Sequence, residues 1–244
     1  MNIKAHLAAA VAATALTVGA AQASTISVSA FDIGAWNTAT AALLGAIEDF
    51  ETTGPAIGEG ELSGVLATSV GTFDTVGGIG SGSTCVAAGG GPCTTLSLFG
   101  PDLNGFNGQG NLVPDNGEWS LNAADTLGIV WNVALETGGA FNKIVFGLRD
   151  IADIPGTIAT VSSDGATPVE FTGLLNANEQ LIVISFGTAV TSATVTIQNL
   201  NGFVNDSFSL DGAAVGVVPL PAAGFLLLGG LGALAAVRRR KQNA

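Results

Sequence analysis

Residues 189–198 read AVTSATVTIQ, setting Ala193, Val195 and Ile197 against Thr194, Thr196 and Gln198. Alternation at period two fits a strand with one buried face and one wet face, and it is incompatible with a helical stripe. The same signal recurs along the second half of the chain. Thr126–Leu135 (TLGIVWNVAL) and Phe141–Leu148 (FNKIVFGL) read as strands with a turn at Glu136–Ala140 between them. Gly156–Ser162, Pro168–Phe171, Gln180–Phe186, Ala189–Gln198 and Asp206–Ala214 follow, each bounded by Gly, Pro, Asn or Asp-Gly. Residues 24–216 are rich in Gly, Thr, Ser, Val and Asn and poor in Lys, Arg and Glu, a mix that suits short strands and turns. Together these features predict an all-β fold for residues 24–216, a single antiparallel β-sandwich that is jelly-roll-like. One helix is expected at Thr38–Phe50, where Ala39, Leu43, Ala46 and Ile47 fall at helical spacing behind Asn37 or Thr38 as cap. Gly54–Asn116 is Gly-rich and weakly patterned, so long loops are expected there, and no repeat of fixed period is present.

Charge narrows the partners. Residues 24–217 hold all 19 acidic residues and only two cations, Lys143 and Arg149, for a net charge of −17. Such a field repels phosphate, which argues against nucleic acid and anionic lipid, and it favours solubility, divalent cations and cationic polymers. Lys143 and Arg149 are six apart on one strand, hence on one face, where salt bridges to carboxylates are their expected use.

The residue inventory also limits the chemistry. His6 is the only histidine and lies near the N-terminus, and tyrosine is absent, so histidine triads and imidazole metal sites are excluded from residues 24–216. Carboxylate catalysis of the glycosidase kind remains, with Glu48, Asp49, Glu51, Asp150 and Asp153 as candidates, but no spacing shows two of them converging. A non-enzymatic role is therefore expected, with a carbohydrate-active enzyme using paired carboxylates as the alternative. Glu48 and Asp49 early, and Asn205, Asp206 and Asp211 late, supply the hard oxygen donors that Ca²⁺ requires, although their spacing matches no calcium loop; an N-cap and a strand-end turn are the plainer uses. Trp36, Trp119 and Trp131 are expected in the core, with Trp119 beside Asn116-Gly117-Glu118 the best placed to be exposed and to stack on a glycan.

The two ends carry addresses. Lys4, an apolar stretch from Leu7 to Val18 and the small-x-small site Ala21-Gln22-Ala23 before Ser24 make up a secretory signal peptide over residues 1–23, read by the secretion translocon. In an exported chain, Cys85 and Cys93, eight apart across a Gly-rich stretch, read as a disulfide closing a short loop. Residues 217–244 contain Val218-Pro219-Leu220-Pro221-Ala222, an uncharged apolar run to Val237, and Arg238-Arg239-Arg240-Lys241. The run is at the short end for a transmembrane helix, and the four cations would hold its end on the cytoplasmic side. This tail resembles the VPLPA-type variant of the PEP-CTERM sorting domain, with Leu220 where the named motif has Glu. The resemblance implies recognition by an exosortase-type membrane enzyme in a Gram-negative bacterium and cleavage near the proline motif. It further implies a place at the cell surface or in the extracellular matrix, often with exopolysaccharide.

Overall fold

The computed structural model describes residues 24–77, 94–124, 126–200 and 206–218. Residues 1–23, the loop with Cys85 and Cys93, Asn205 and residues 219–244 lie outside them, and with these the signal site at Ala21 and Ala23, the disulfide, most of the proline motif and the basic stop. Among the described residues no helix is long and apolar enough to cross a membrane.

Fourteen strands, two short α-helices and one 3-10 turn (Phe106–Gly108) are the regular elements of the described chain. They are β1 (Thr25–Ala30), α1 (Ile33–Thr40), β2 (Leu44–Glu48), α2 (Thr53–Ile57), β3 (Gly60–Glu61), β4 (Leu66–Thr68), β5 (Gly71–Thr75), β6 (Ser97–Phe99) and β7 (Ser120–Asn122). The remainder are β8 (Gly128–Val133), β9 (Phe141–Arg149), β10 (Ile158–Ser163), β11 (Val169–Thr172), β12 (Glu179–Val190), β13 (Ala193–Asn199) and β14 (Ser209–Val217). An eight-stranded sheet runs β1-β12-β9-β14-β7-β6-β3, with β2 also on β14, and a six-stranded sheet runs β11-β10-β13-β8-β5-β4. All pairings are antiparallel.

The sheets pack face to face through the residues that the alternation marked as buried. Ile129, Trp131, Val195 and Ile197 of the six-stranded sheet meet Ile144, Phe146, Ile182 and Leu210 of the other in one core. Trp131 stacks on Phe73 at 5.1 Å between ring centroids and meets Phe146 edge-on at 5.9 Å. Its indole N–H donates to the Val70 carbonyl at 3.1 Å, so burial leaves no donor orphaned.

Three expectations change in detail. The turn between β8 and β9 does not make a hairpin: β8 pairs with β13 and β5, β9 with β12 and β14, so this connection crosses between sheets. The helix runs over Ile33–Thr40, overlapping only the first three residues of the expected Thr38–Phe50, and its cap is Asp32, whose Oδ1 accepts the Ala35 N–H at 2.9 Å. Leu44–Glu48 is instead a strand on β14, because Gly45 lies so close to the Val215 carbonyl that a Cβ there would sit 1.9 Å from it. Gly54–Asn116 contains α2 and β3 to β6 as well as loops.

A second, smaller apolar cluster covers the outer face of the eight-stranded sheet. Trp36 of α1 packs there with Leu112, Val113, Val145, Leu181 and Ala214. Its indole N–H donates to the Gly212 carbonyl at 2.9 Å, and the loop before β7 lies beside it.

Candidate functional site

The early acidic turn and the late acidic strand do meet, since Glu48 lies opposite Ala213 across the β2–β14 pair. They do not form one metal site. Asp211 sits at an irregularity in β14, where two residues lie between Asp211 and Ala214 but only one lies between their β9 partners Gly147 and Val145. Gly212, at φ 59°, makes that bulge possible, and a Cβ there would press on Val113 and on the Trp36 indole. The bulge turns Asp211 to the loop before β7, where it is fully buried.

There its oxygens are already occupied. Oδ2 accepts the backbone N–H of Leu112 at 2.7 Å and of Val113 at 2.8 Å, and the Asn111 side-chain amide at 3.1 Å. Oδ1 accepts the Gly212 N–H at 2.6 Å. Burial pushes this carboxyl well above its usual range, while the N–H donors oppose the shift by favouring the charged form. Every partner is a donor, so the group is an anchor for the loop rather than a calcium ligand. Asn111 ties the anchor to the neighbouring groups, its backbone carbonyl accepting from Arg149 Nη1 at 2.9 Å.

Glu48 is likewise used within the scaffold: its Oε1 accepts the Phe50 N–H at 2.9 Å and the Thr53 hydroxyl at 3.0 Å. Asp49 lies near enough to Asp211 to add to its repulsion. Glu51, Glu59 and Glu61 follow the same pattern. Glu51 Oε1 accepts the N–H of Glu118 and Trp119, each at 2.8 Å, Glu59 Oε1 that of Leu103 at 2.7 Å, and Glu61 Oε1 that of Thr94 at 2.8 Å. The carboxylates in these loops act as acceptors for backbone donors that the short strands leave unpaired.

Asp206 belongs to a different place. Its Oδ2 accepts the Asp153 N–H at 3.2 Å, and Asp150 lies close by. Asp150 and Asp206 are 2% and 1% exposed. Burial first, and then Asp153 and Asp150, push the Asp206 carboxyl up from the usual 3.8 to about 8. Burial also raises Asp150 to about 6, against the Ala177 N–H that it accepts at 2.6 Å. Raised carboxyls are what a general acid needs, but these two are sealed from a glycosidic bond. Among the described residues no group of three Asp, Glu, His or Cys side chains is arranged to hold a metal ion. The calcium set therefore divides, with Glu48, Asp49 and Asp211 in one place and Asp206 in another.

Trp119 is 9% exposed and packs in the main core, its ring covering Gly54 and Gly100 so closely that a Cβ on either would overlap it. It offers no face to a sugar. The glycan reading of this residue is corrected because Gly54 and Gly100 close against its ring and the core buries it. The two cations share a face of β9 as expected: Arg149 pairs with Glu179 at 3.6 Å, and Lys143 donates to the Ala39 carbonyl at 3.4 Å.

What the spacing of acidic residues could not reveal is the Asp150–Asp153–Asp206 cluster, whose members come from opposite ends of a long excursion through β10 to β13. In the structure Asp150 and Ala152 both take left-handed conformation, φ 67° and 56°, in the turn after β9, which the sequence does not signal.

No family model matches the chain, and no curated protein matches it. Among solved structures, one match is an arabinose-bound α-L-arabinofuranosidase, 11% identical with a TM-score of 0.34. The match covers 80% of this chain but only 32% of that enzyme's.

Proposed function

We propose that this chain is an exported cell-surface or extracellular-matrix component of a Gram-negative bacterium, with a jelly-roll-like sandwich as its working domain. A signal helix over residues 1–23 takes it to the secretion translocon. An exosortase-type enzyme then recognises the Val218–Ala222 motif while the following helix holds the chain in the membrane. The domain itself acts as a structural module of the matrix, in company with exopolysaccharide.

The observation that carries this reading is where the strands stop. β1 begins at Thr25, directly after the Ala23–Ser24 junction, and β14 ends at Val217, directly before the proline motif. Val218 is tied by its N–H to Asn142 Oδ1 at 2.9 Å, so cleavage beyond it would leave every described strand in place. The acidic residues add support: most of the candidates that might have served catalysis are hydrogen-bond acceptors within the domain.

Mass spectrometry of the protein recovered from the outside of its host tests both junctions. The expected product starts at Ser24 and lacks Arg238–Lys241. Exported protein still ending in Ala244 would replace the sorting reading with a plain membrane anchor.

A further inference from the structure

An exposed sheet edge is a template for another chain, and proteins usually protect one by making it short, charging it, bulging it or breaking it with proline. The edges of this sandwich divide on that criterion. β3 has two residues and β4 has three. β11 carries Glu170, and the edge strand β2 holds Gly45 and the buried Glu48, with residues 135–137 and Ser69 lining a cleft beside it. β1 has none of these protections. Its six residues, TISVSA, carry no charge, proline or glycine, and they pair with β12 one-to-one from Thr25–Ser185 to Ala30–Gln180 without a shift. Among the described residues no strand pairs with its other side.

The direction of the backbone groups follows from one bond. Phe31, the residue after β1, donates its N–H to the Glu179 carbonyl at 3.0 Å. Antiparallel pairing alternates residue by residue, so Ser29, Ser27 and Thr25 also face β12, and Ala30, Val28 and Ile26 turn their N–H and C=O outward. Ile26 and Val28 place their side chains against the main core but stay only partly buried, with no described strand beyond them.

We infer that β1 is the contact through which two copies of this chain join, each β1 lying antiparallel against the other so that the eight-stranded sheet continues through the pair. Two-fold pairing centred on Val28 sets Val28 opposite Val28 and Ile26 opposite Ala30. All the outward groups of the strand then find partners, and the half-covered Ile26 and Val28 side chains are closed over. A second copy fits this edge better than a charged partner does, since the strand is self-complementary and uncharged. The opposing influence is the net charge of −17 on residues 24–217, which repels at long range and is screened by salt. Pairing is therefore expected to tighten as salt rises.

Sedimentation velocity on protein expressed from the full sequence, over micromolar to submillimolar concentration, reads the association directly. The expected result is a monomer–dimer equilibrium that shifts to dimer with added NaCl. Val28→Pro removes an outward N–H and none of those donated to β12, a placement edge strands tolerate, and is expected to weaken the dimer at least about tenfold. Ser27→Glu combined with Ser29→Glu sets like charges opposite each other on the exposed side and is expected to do the same while leaving Val28 in place. Circular dichroism and the thermal midpoint show whether each variant keeps its fold. A chain that stays monomeric at every concentration and salt overturns the inference, as does a dimer that survives in the folded variants. Assemblies that grow beyond the dimer overturn the two-fold pairing.

Discussion

Asp206 and Asp211 are five residues apart, both buried, and their surroundings are opposite in kind. Asp211 faces four N–H donors. Among the described residues Asp206 accepts one backbone N–H, from Asp153, and it is raised by burial and by the Asp153 and Asp150 carboxyls beside it. Burial alone opposes charge at both. The difference teaches that the cost of a buried carboxylate is decided by what replaces its water: an anchor in one case, a repulsive cluster in the other. With only two cations among residues 24–217, backbone and amide N–H groups do the work that arginine does in most proteins.

The largest effect should come from breaking the anchor. Asp211→Ala leaves the N–H groups of Leu112, Val113 and Gly212 without their acceptor in a site closed to water, and takes one of several acceptors from the Asn111 amide. Urea unfolding is expected to show a loss of about 4 kcal/mol. Hydrogen exchange at Leu112 and Val113 should rise more than in the strands, because the loop before β7 is released first. A loss under about 1 kcal/mol would mean that the four donors find other acceptors.

Removing the charge from the cluster should have the opposite sign. A carboxyl with pKa 3.8 when unfolded and about 8 when folded keeps a proton in the folded state that the unfolded chain has already lost. Stability from this group is therefore intact below about pH 4 and declines as pH rises towards 8, with Asp150 adding to the decline between about 4 and 6. Asp206→Asn can still accept the Asp153 N–H and carries no charge. It is expected to stabilise the protein by about 2 kcal/mol at pH 8.5 and to make little difference at pH 4. Unfolding free energies of both proteins across that range check it, and a constant offset between them would show that packing, not ionisation, is responsible.

The contrast between these two aspartates was invisible in the sequence, and the reason is distance along the chain. Asp211 meets partners about a hundred residues away, at Asn111, Leu112 and Val113, and Asp206 meets Asp153 across the whole excursion through β10 to β13. Strands such as β13 were legible because alternation is a local property, repeated over seven residues. β3, β4 and β6, two or three residues long, are too short to show any period. The alternation in β8 and β9 marks which side faces the core but carries no mark of which sheet each strand joins. Leu44–Glu48 was read as helix because Leu43, Ala46 and Ile47 fit a helical stripe equally well, and only the contact of Gly45 with β14 decides between them.

Glu51 offers a milder version of the same anchor and so measures what burial contributes. Its Oε1 accepts the Glu118 and Trp119 N–H groups and, at 3.3 Å, the same Asn111 amide that reaches Asp211, but it lies nearer the surface. Water can take over the Glu118 donor when the carboxylate is gone, whereas nothing takes over at Leu112 and Val113. Glu51→Ala is therefore expected to cost only about 1 kcal/mol, and Glu51→Gln, which keeps an acceptor oxygen, about 0.5 kcal/mol in urea unfolding. Because both acidic anchors share Asn111, Glu51→Ala and Asp211→Ala together should cost less or more than their sum, by roughly 0.5 kcal/mol or above. Strict additivity would show that the loop is held by two independent clamps, and equal single losses would show that burial is not what separates them.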